Sequence, residues 1–368
     1  MIKELKINNF KCFEELYVEM AELNVFAGIN SMGKSTTIQT LLLLRQAYEM
    51  DSINKGIYLN GTLTNLGTGY DILYRNSQID KISIELQGDS MNIKNVYKYS
   101  KESDFQRIDT SNINDKELVK ENLFGDNFSY VSAERSGPQR FYGSSYHEIY
   151  EQNQVGTKGE FYAAYLAERG TIQKVVNESV LHPSIKSDLL IYQMEAWMSE
   201  LSPGIVFQPK KYQEAGIVSM EYAISNELFT PVNVGFGLSY VAPIVLSLLK
   251  AKKGDLVIIE NPEAHLHPRG QRKMGELISR ASAGGVQVIV ETHSDHLLNG
   301  IRLSVKNKKI PKEMIRLNYF FSELMDDDKL GQTIKHEKCS PMIMEDGSLS
   351  DWPEGFFDEW DKALEELF

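Results

Sequence analysis

Residues 27–37 read AGINSMGKSTT, and Gly28, Gly33, Lys34 and Ser35 fit the spacing G-x-x-x-x-G-K-[ST]. Glycines let a backbone fold tightly around an anion, so that successive N–H groups point at phosphate oxygens. A lysine at position 34 reaches the β- and γ-phosphates, and a serine hydroxyl at position 35 serves as a Mg2+ ligand. The flanks agree with this reading. Residues 23–27 (LNVFA) are a short apolar run of the strand type. Residues 36–48 (TTIQTLLLLRQAY) contain no Gly or Pro and predict a helix whose N-terminus faces the phosphates. A chance glycine turn lacks such flanks, so the stretch is read as a nucleoside-triphosphate site.

Composition sets the outer limits. The 368 residues suffice for two or three domains, or for one large α/β domain with insertions. Apolar content of 42% and charged content of 24% are ordinary for a globular protein. A net charge of −12 argues against a chain-wide polyanion-binding surface, while leaving room for a local basic patch. Cys12 and Cys339 are the only cysteines, so there is no disulfide framework and no C-x-x-C zinc pattern. No run of 18 apolar residues predicts a membrane span, and the start of the chain alternates like a strand rather than a signal peptide. We expect a cytoplasmic protein that does not enter a membrane.

Along the chain, residues 2–10 and 16–19 alternate as two antiparallel strands leading into the strand before the loop. Residues 56–70 read as loop, 81–87 and 95–99 as strands, and 102–122 as a polar surface excursion. Residues 128–132 resume a strand and run into Ala133-Glu134-Arg135. Helical periodicity over 161–178 and 184–201, closed by Ser202-Pro203-Gly204, predicts a two-helix insertion. Strands follow at 205–208 and 216–223, then a helix at 238–250 in which Pro243 is tolerable only in the first turns. Residues 256–260 (LVIIE) and 286–290 (VQVIV) are buried parallel-strand runs separated by a helix over 269–283, the rhythm of a doubly wound sheet. Strand-like runs at 315–321 and 332–336 precede a compact tail.

Further stretches narrow the chemistry. A buried strand ending in a carboxylate is how phosphate-loop folds hold Mg2+, which makes Glu260 the candidate metal ligand beside Ser35. The next parallel strand ends in Glu291-Thr292-His293, delivering a histidine that could contact the γ-phosphate or hold the attacking water. Residues 233–240 (NVGFGLSY) place glycines and Ser239 at the start of a helix, an anion-receptive arrangement that an ordinary serine cap would also produce.

At this point the sequence resembles a known family. Residues 2–36 look like the N-terminus of the ABC-type ATPases related to structural-maintenance-of-chromosomes (SMC), RecF and overcoming-lysogenization-defect (OLD) proteins. ENPEAHLHP and ETHSDHLL resemble that family's Walker B/D-loop and switch-histidine segments, and VGFGLSY sits where it has its signature. The tail, DGSLSDWPEGFFDE, is similar to a C-terminal domain of unknown function on a bacterial subgroup.

The resemblance implies an α/β P-loop NTPase, an ABC-ATPase head with a mixed N-terminal β-lobe, a RecA-like lobe and a helical insertion. The implied division is 1–155 for the N-terminal ATPase lobe, 156–204 for the insertion, 205–305 for the C-terminal ATPase lobe and 306–368 for the extension. It further implies ATP and Mg2+ as cofactors and a head-to-tail homodimer, or a higher homo-oligomer, that sandwiches ATP. Gly28, Asn30, Gly33, Lys34, Ser35 and Thr36 would hold the triphosphate. Gly237 and Ser239 would reach the γ-phosphate of the opposite subunit, and residues 264–268 would line the seam. Glu260 takes the magnesium position and His293 the switch position. The family pairs Asp with Glu at the strand end, whereas this chain has Glu260 and Asn261. An amide cannot accept a proton as a carboxylate does, so either hydrolysis is slow or Glu263 or another acid substitutes. Gln139 and the Glu134-Arg135 pair are the candidates for the family's glutamine-loop position.

Three functions fit. One is an ATPase acting as a nucleotide-dependent sensor in a bacterial anti-phage defence complex, with a separate effector such as a nuclease. The second is a RecF-like repair ATPase that clamps DNA through Lys306, Lys308, Lys309, Lys312, Arg135 and Arg140, which leaves nucleic acid open as a partner. The third is a scaffold that binds ATP for assembly without turning it over, for which Asn261 is the best support. The aromatic tail residues Trp352, Phe356, Phe357 and Trp360 either dock on the core or form a partner surface.

Overall fold

Alternating apolar side chains lay down the first strands. β1 (Ile2–Phe10) buries Ile2, Leu5, Ile7 and Phe10 and pairs antiparallel with β2 (Phe13–Glu19). β3 (Leu23–Gly28) is buried almost throughout and enters the glycine loop, which opens into α1 (Lys34–Glu49). There follow β4 (Gly56–Tyr58), α2 (Gly69–Ile72), β5 (Lys81–Gly88), β6 (Asn92–Lys98), β7 (Phe105–Ser111) and α3 (Asp115–Leu118). The computed structural model describes residues 1–126, 128–201, 203–224, 227–327 and 331–367.

The chain then builds β8 (Phe128–Val131), β9 (Tyr142–Gly143), α4 (Tyr162–Arg169), α5 (Leu190–Ser199), β10 (Val206–Tyr212), β11 (Ile217–Ile224) and β12 (Glu227–Phe229). After these come α6 (Phe236–Lys250), β13 (Leu256–Glu260), α7 (Pro268–Ala283), β14 (Gln287–Glu291) and α8 (Asp295–Lys306). Last are β15 (Ile315–Asp327), β16 (Gly331–Cys339) and α9 (Glu359–Leu367).

These elements form two compact units. The first takes Met1–Gly125, Ile315–Met342 and Ser350–Phe368; the second takes Asp126–Met314 and Ile343–Leu349. In the first unit a six-stranded sheet runs β2-β1-β5-β6-β7-β4. Apart from it, β15 lies parallel to β3, with Phe320 opposite Gly28, and antiparallel to β16. In the second unit β13 lies between β14 and β8, parallel to both, and every residue of β14 is buried. This is the apolar, both-faces-covered strand that its sequence announces. A separate antiparallel sheet joins β10, β11, β12 and β9.

Several local expectations shift. Residues 56–70 hold β4 and the start of α2, and the polar excursion at 102–122 contains β7, which pairs with β6. The insertion helices are shorter than their periodicity. α4 stops at Arg169, and α5 starts at Leu190, because the chain between them folds back so that Lys174 bridges Leu189 antiparallel. Of the predicted stop Ser202-Pro203-Gly204, Ser202 lies outside the described residues. Pro243 sits well inside α6 rather than in its first turn, and a Cβ on Gly159 would collide with its ring. The helix thus forgoes one backbone bond and packs the proline where only glycine leaves room. Among the described residues no helix is long and apolar enough to cross a membrane.

The tail docks within the first unit. Phe356 is 1% exposed, 5.0 Å from the Tyr319 ring of β15, and is flanked by Trp352 and Phe357. The Tyr319 hydroxyl donates to the Glu354 carbonyl at 3.2 Å. The Trp360 side chain lies outside the described residues. Removing a buried aromatic ring leaves a cavity, so Phe356→Ala should lower unfolding stability by roughly 3–5 kcal/mol in urea titration of the whole chain.

Candidate functional site

The phosphate loop is shaped by close packing from one side. Gly33, the cap of α1, has φ 101°, and a Cβ there would run into the Phe13 ring and come 3.0 Å from Cys12 Sγ. Gly28 has φ 140°, and its Cβ would overlap the Phe320 carbonyl. Ser31 is held left-handed at φ 66°. The exposed edge of the loop is then Ile29, Asn30 and Ser31, with Ser35 exposed on the first turn of α1. Lys34 is 3% exposed, and its ammonium donates to the Gly28 carbonyl at 2.9 Å and the Ile29 carbonyl at 2.7 Å. Thr36 is buried, its hydroxyl 3.9 Å from Cys12 Sγ, and Thr37 donates back to the Gly33 carbonyl. A loop with a buried ammonium at its centre and the start of a sixteen-residue helix behind it is an anion site.

Two clefts in the first unit border this loop through Cys12 and His336. One, of about 690 Å³, is lined by Asn9, Leu16, Tyr74 and Lys338 among others. The other, of about 1030 Å³, takes in Lys11, Tyr70, Arg75 and Tyr99. The sequence reading missed these residues. Lys11 and Cys12 lie in the turn between β1 and β2, and no spacing rule marks such a turn as a lining.

The second unit collects acidic groups at one edge of its parallel strands. Glu260 ends β13; its Oε2 accepts from the Ala133 N–H at 2.9 Å, and the Tyr130 hydroxyl also donates to the carboxylate. Glu263 accepts the Thr292 hydroxyl at 2.9 Å and the His293 N–H at 2.6 Å. Burial pushes both carboxyls above the usual range, against the pull of these donors and of the Arg135 charge. Asn261 lies between them at φ 46°, its N–H on the Glu291 carbonyl and its Oδ1 buried without a partner. The His293 side chain is exposed, and Ser294 caps α8 by accepting the Leu297 N–H. Glu260, Asn261, Glu263 and His293 are therefore neighbours, as the two strand ends predict.

Arg135 holds this edge together. It is 4% exposed and donates to the carbonyls of Ser132 (2.8 Å), Glu260 (2.6 Å) and Asn261 (2.7 Å), with its guanidinium 5.5 Å from the Tyr240 ring centre. Gln139, the other glutamine-loop candidate, has an exposed side chain. Tyr240 and Phe236 of α6 pack on the His265 ring at 4.6 and 5.8 Å. Gly237 is needed there, because a Cβ would stand 2.7 Å from the His265 carbonyl. Ser239 is fully buried, its hydroxyl 3.4 Å from that of Tyr222, so it faces the core. The oxygen donors Ser35 and Glu260 are of the hard type that Mg2+ selects. No cluster of His, Cys, Asp and Glu suited to a metal occurs among the described residues.

Comparison with known proteins places the chain. A family model described as "AAA ATPase domain" matches residues 1–166, and one described as "AAA domain, putative AbiEii toxin, Type IV TA system" matches residues 186–299. Residues 310–367 match a model described as a protein of unknown function, DUF3696. No curated protein matches the chain. Among solved structures, an SMC head bound to the C-terminal winged-helix domain of ScpA is 12% identical, with 92% of this chain and 97% of that one covered and a TM-score of 0.48. The SMC head from Thermotoga maritima is 13% identical, with 90% and 97% covered and a TM-score of 0.42. An SMC head with an extended coiled coil, bound to the C-terminal domain of ScpA derived from Pyrococcus furiosus, is 12% identical, with 100% and 99% covered and a TM-score of 0.46. Models of AAA ATPase domains thus match two separate stretches of the chain, on either side of residues 167–185. Its fold is that of a P-loop NTPase, and it is an ATP-binding protein of the ATPase class.

The carboxyl of Glu260 has a stability consequence. Its folded pKa is raised, so the folded state binds the proton more tightly than the unfolded chain, and stability is lost as pH rises through the folded value. Glu260→Gln, measured without nucleotide or Mg2+, should therefore melt higher than wild type at pH 8. The gap should close as the pH falls into the ordinary carboxylate range.

Proposed function

We propose that this chain is a Mg2+-dependent ATP switch with slow turnover. What carries the reading is the phosphate loop, with its left-handed Gly33 and its central Lys34 ammonium. Residues Gly28, Asn30, Gly33, Lys34, Ser35 and Thr36 hold the triphosphate, and Ser35 and Glu260 supply oxygen ligands for Mg2+. The metal, when bound, neutralises charge on the phosphates. Glu263 is the general base. Its burial-raised pKa makes it a better proton acceptor near neutral pH than an exposed glutamate. His293 orients the water or the γ-phosphate. Asn261 offers an acceptor to water but takes no proton, and this slows hydrolysis.

Two copies meet head-to-tail on this reading, with the first turn of α6 at Gly237 offering main-chain N–H groups to the partner's γ-phosphate. Since the Ser239 hydroxyl faces Tyr222, the contribution of that residue is through the backbone. The match to a model whose description names a putative toxin of a type IV toxin–antitoxin system supports a place in bacterial defence. We assign the chain the role of cytoplasmic sensor or regulator, with its effector, such as a nuclease, a separate protein. A non-catalytic scaffold is the second reading, favoured by Asn261.

Steady-state hydrolysis decides between them. Lys34→Ala should abolish both ATP binding and turnover. Asn261→Glu should raise kcat by about tenfold or more, since a positioned base contributes at least that much. Tight ATP binding by wild type with zero turnover, gained only in Asn261→Glu, replaces the enzyme with the scaffold.

A further inference from the structure

The second unit contains a sheet covered on one face. β10, β11, β12 and β9 form it, and alternation divides their residues between two sides. The inner side carries Phe207, Val218, Met220 and Tyr222, all buried. α4 and α5 cover it. The Tyr162 and Tyr222 hydroxyls lie 2.9 Å apart, Lys211 pairs with Glu168 at 2.7 Å, and Glu195 accepts the Phe207 N–H at 3.0 Å.

The outer side is apolar and exposed. Val206, Tyr212, Leu228 and, just before β9, Phe141 all stand open, Phe141 by 50% and Leu228 by 57%. Register sets Gly143, Ile217 and Tyr212 abreast, so Phe141 falls on the same side as Tyr212, and their rings meet edge-on at 5.9 Å. Leu228 lies opposite Ala223, which lies opposite Val206, and this continues the apolar surface across the sheet. Single exposed apolar side chains are ordinary, whereas aromatics gathered on one sheet face mark a contact surface.

The charges on this face narrow its occupant. Among the described residues of the four strands, Lys210 and Glu221 are the only charges on the outer side. They cancel, so a polyanion finds no net attraction here. Lys210 lies opposite Ser219, two residues from Glu221, which sets the pair on a diagonal across β10 and β11. A surface with one charge of each sign complements its own copy turned about a two-fold axis. Each lysine then meets the other copy's glutamate while the apolar residues meet one another.

We propose that this face is an interface between two copies of the chain, packed sheet on sheet and formed without nucleotide. It is separate from the head-to-tail contact proposed above and does not rest on the ATP reading.

Sedimentation velocity of the full chain without nucleotide tests this. Wild type should run as a dimer of 41.9 kDa chains at about 10 µM. Tyr212→Asp and Phe141→Asp change exposed side chains, so each should melt near wild type yet weaken the dimer by on the order of a hundredfold. Lys210→Glu and Glu221→Lys should each weaken it by about tenfold or more. An equimolar mixture of those two should recover wild-type affinity, because every crossed contact then pairs opposite charges. Misfolding of either variant cannot give that recovery. Lys34→Ala should dimerise as wild type does, whatever becomes of its ATP binding. A dimer indifferent to all four substitutions uses another surface and overturns the proposal, as does a loss in both charge variants that mixing fails to reverse. A chain still monomeric at about 100 µM overturns it too. If that monomer retains a single-stranded oligonucleotide through Tyr212, the occupant is nucleic acid; if not, it is a different protein.

Discussion

The contact between Gly33 and the Phe13 ring is the constraint from which the first unit follows. It leaves no room for a side chain at the mouth of α1, so the backbone there is free to turn left-handed and to present its N–H groups. Phe13 is held in turn by Phe320 and His336 on two strands that arrive from the far end of the chain. A site that looks local in sequence thus depends on strands roughly three hundred residues away. This is the usual cost of building a rigid anion cradle from a loop: its conformation must be imposed by neighbours, since the loop has no core of its own.

The second unit solves a different problem, that of keeping two carboxylates poorly solvated. Both are pushed toward protonation by burial, and each is offset by donors: Ala133 and Tyr130 for Glu260, and His293, Thr292 and its own main-chain N–H for Glu263. Arg135 ties the main chain of this edge without forming an ion pair with either acid. Its bonds go to carbonyls, so its charge lowers both carboxyl pKa values while its geometry fixes the turn at Asn261.

Much of this was legible beforehand, and the reasons are physical. Strand ends carry side chains to a sheet edge in a fixed order, so LVIIE and VQVIVETH were enough to predict that Glu260 and His293 would be neighbours. The phosphate loop declares itself because few residues tolerate its backbone. What could not be read depends on long-range packing. Periodicity over 161–178 predicted one long helix, but the pairing of Lys174 with Leu189 ends it early. The roles of Cys12, Tyr130 and His336 have no spacing signature at all. Ser239 had the right residue type at a helix start, yet its hydroxyl turned inward, because only the neighbouring Tyr222 decides where it points.

Lys34 carries one more consequence. Its ammonium already has two carbonyl partners in the loop, at Gly28 and Ile29. A phosphate that takes this ammonium exchanges partners with it and leaves two carbonyls to find water. Binding is therefore a displacement, and its net free energy is smaller than the attraction between ammonium and phosphate suggests. Such a loop favours charge: a ligand with fewer phosphates repays less of the exchange, so on the proposed reading as an ATP switch, occupancy would follow the phosphorylation state of the nucleotide and not merely its presence.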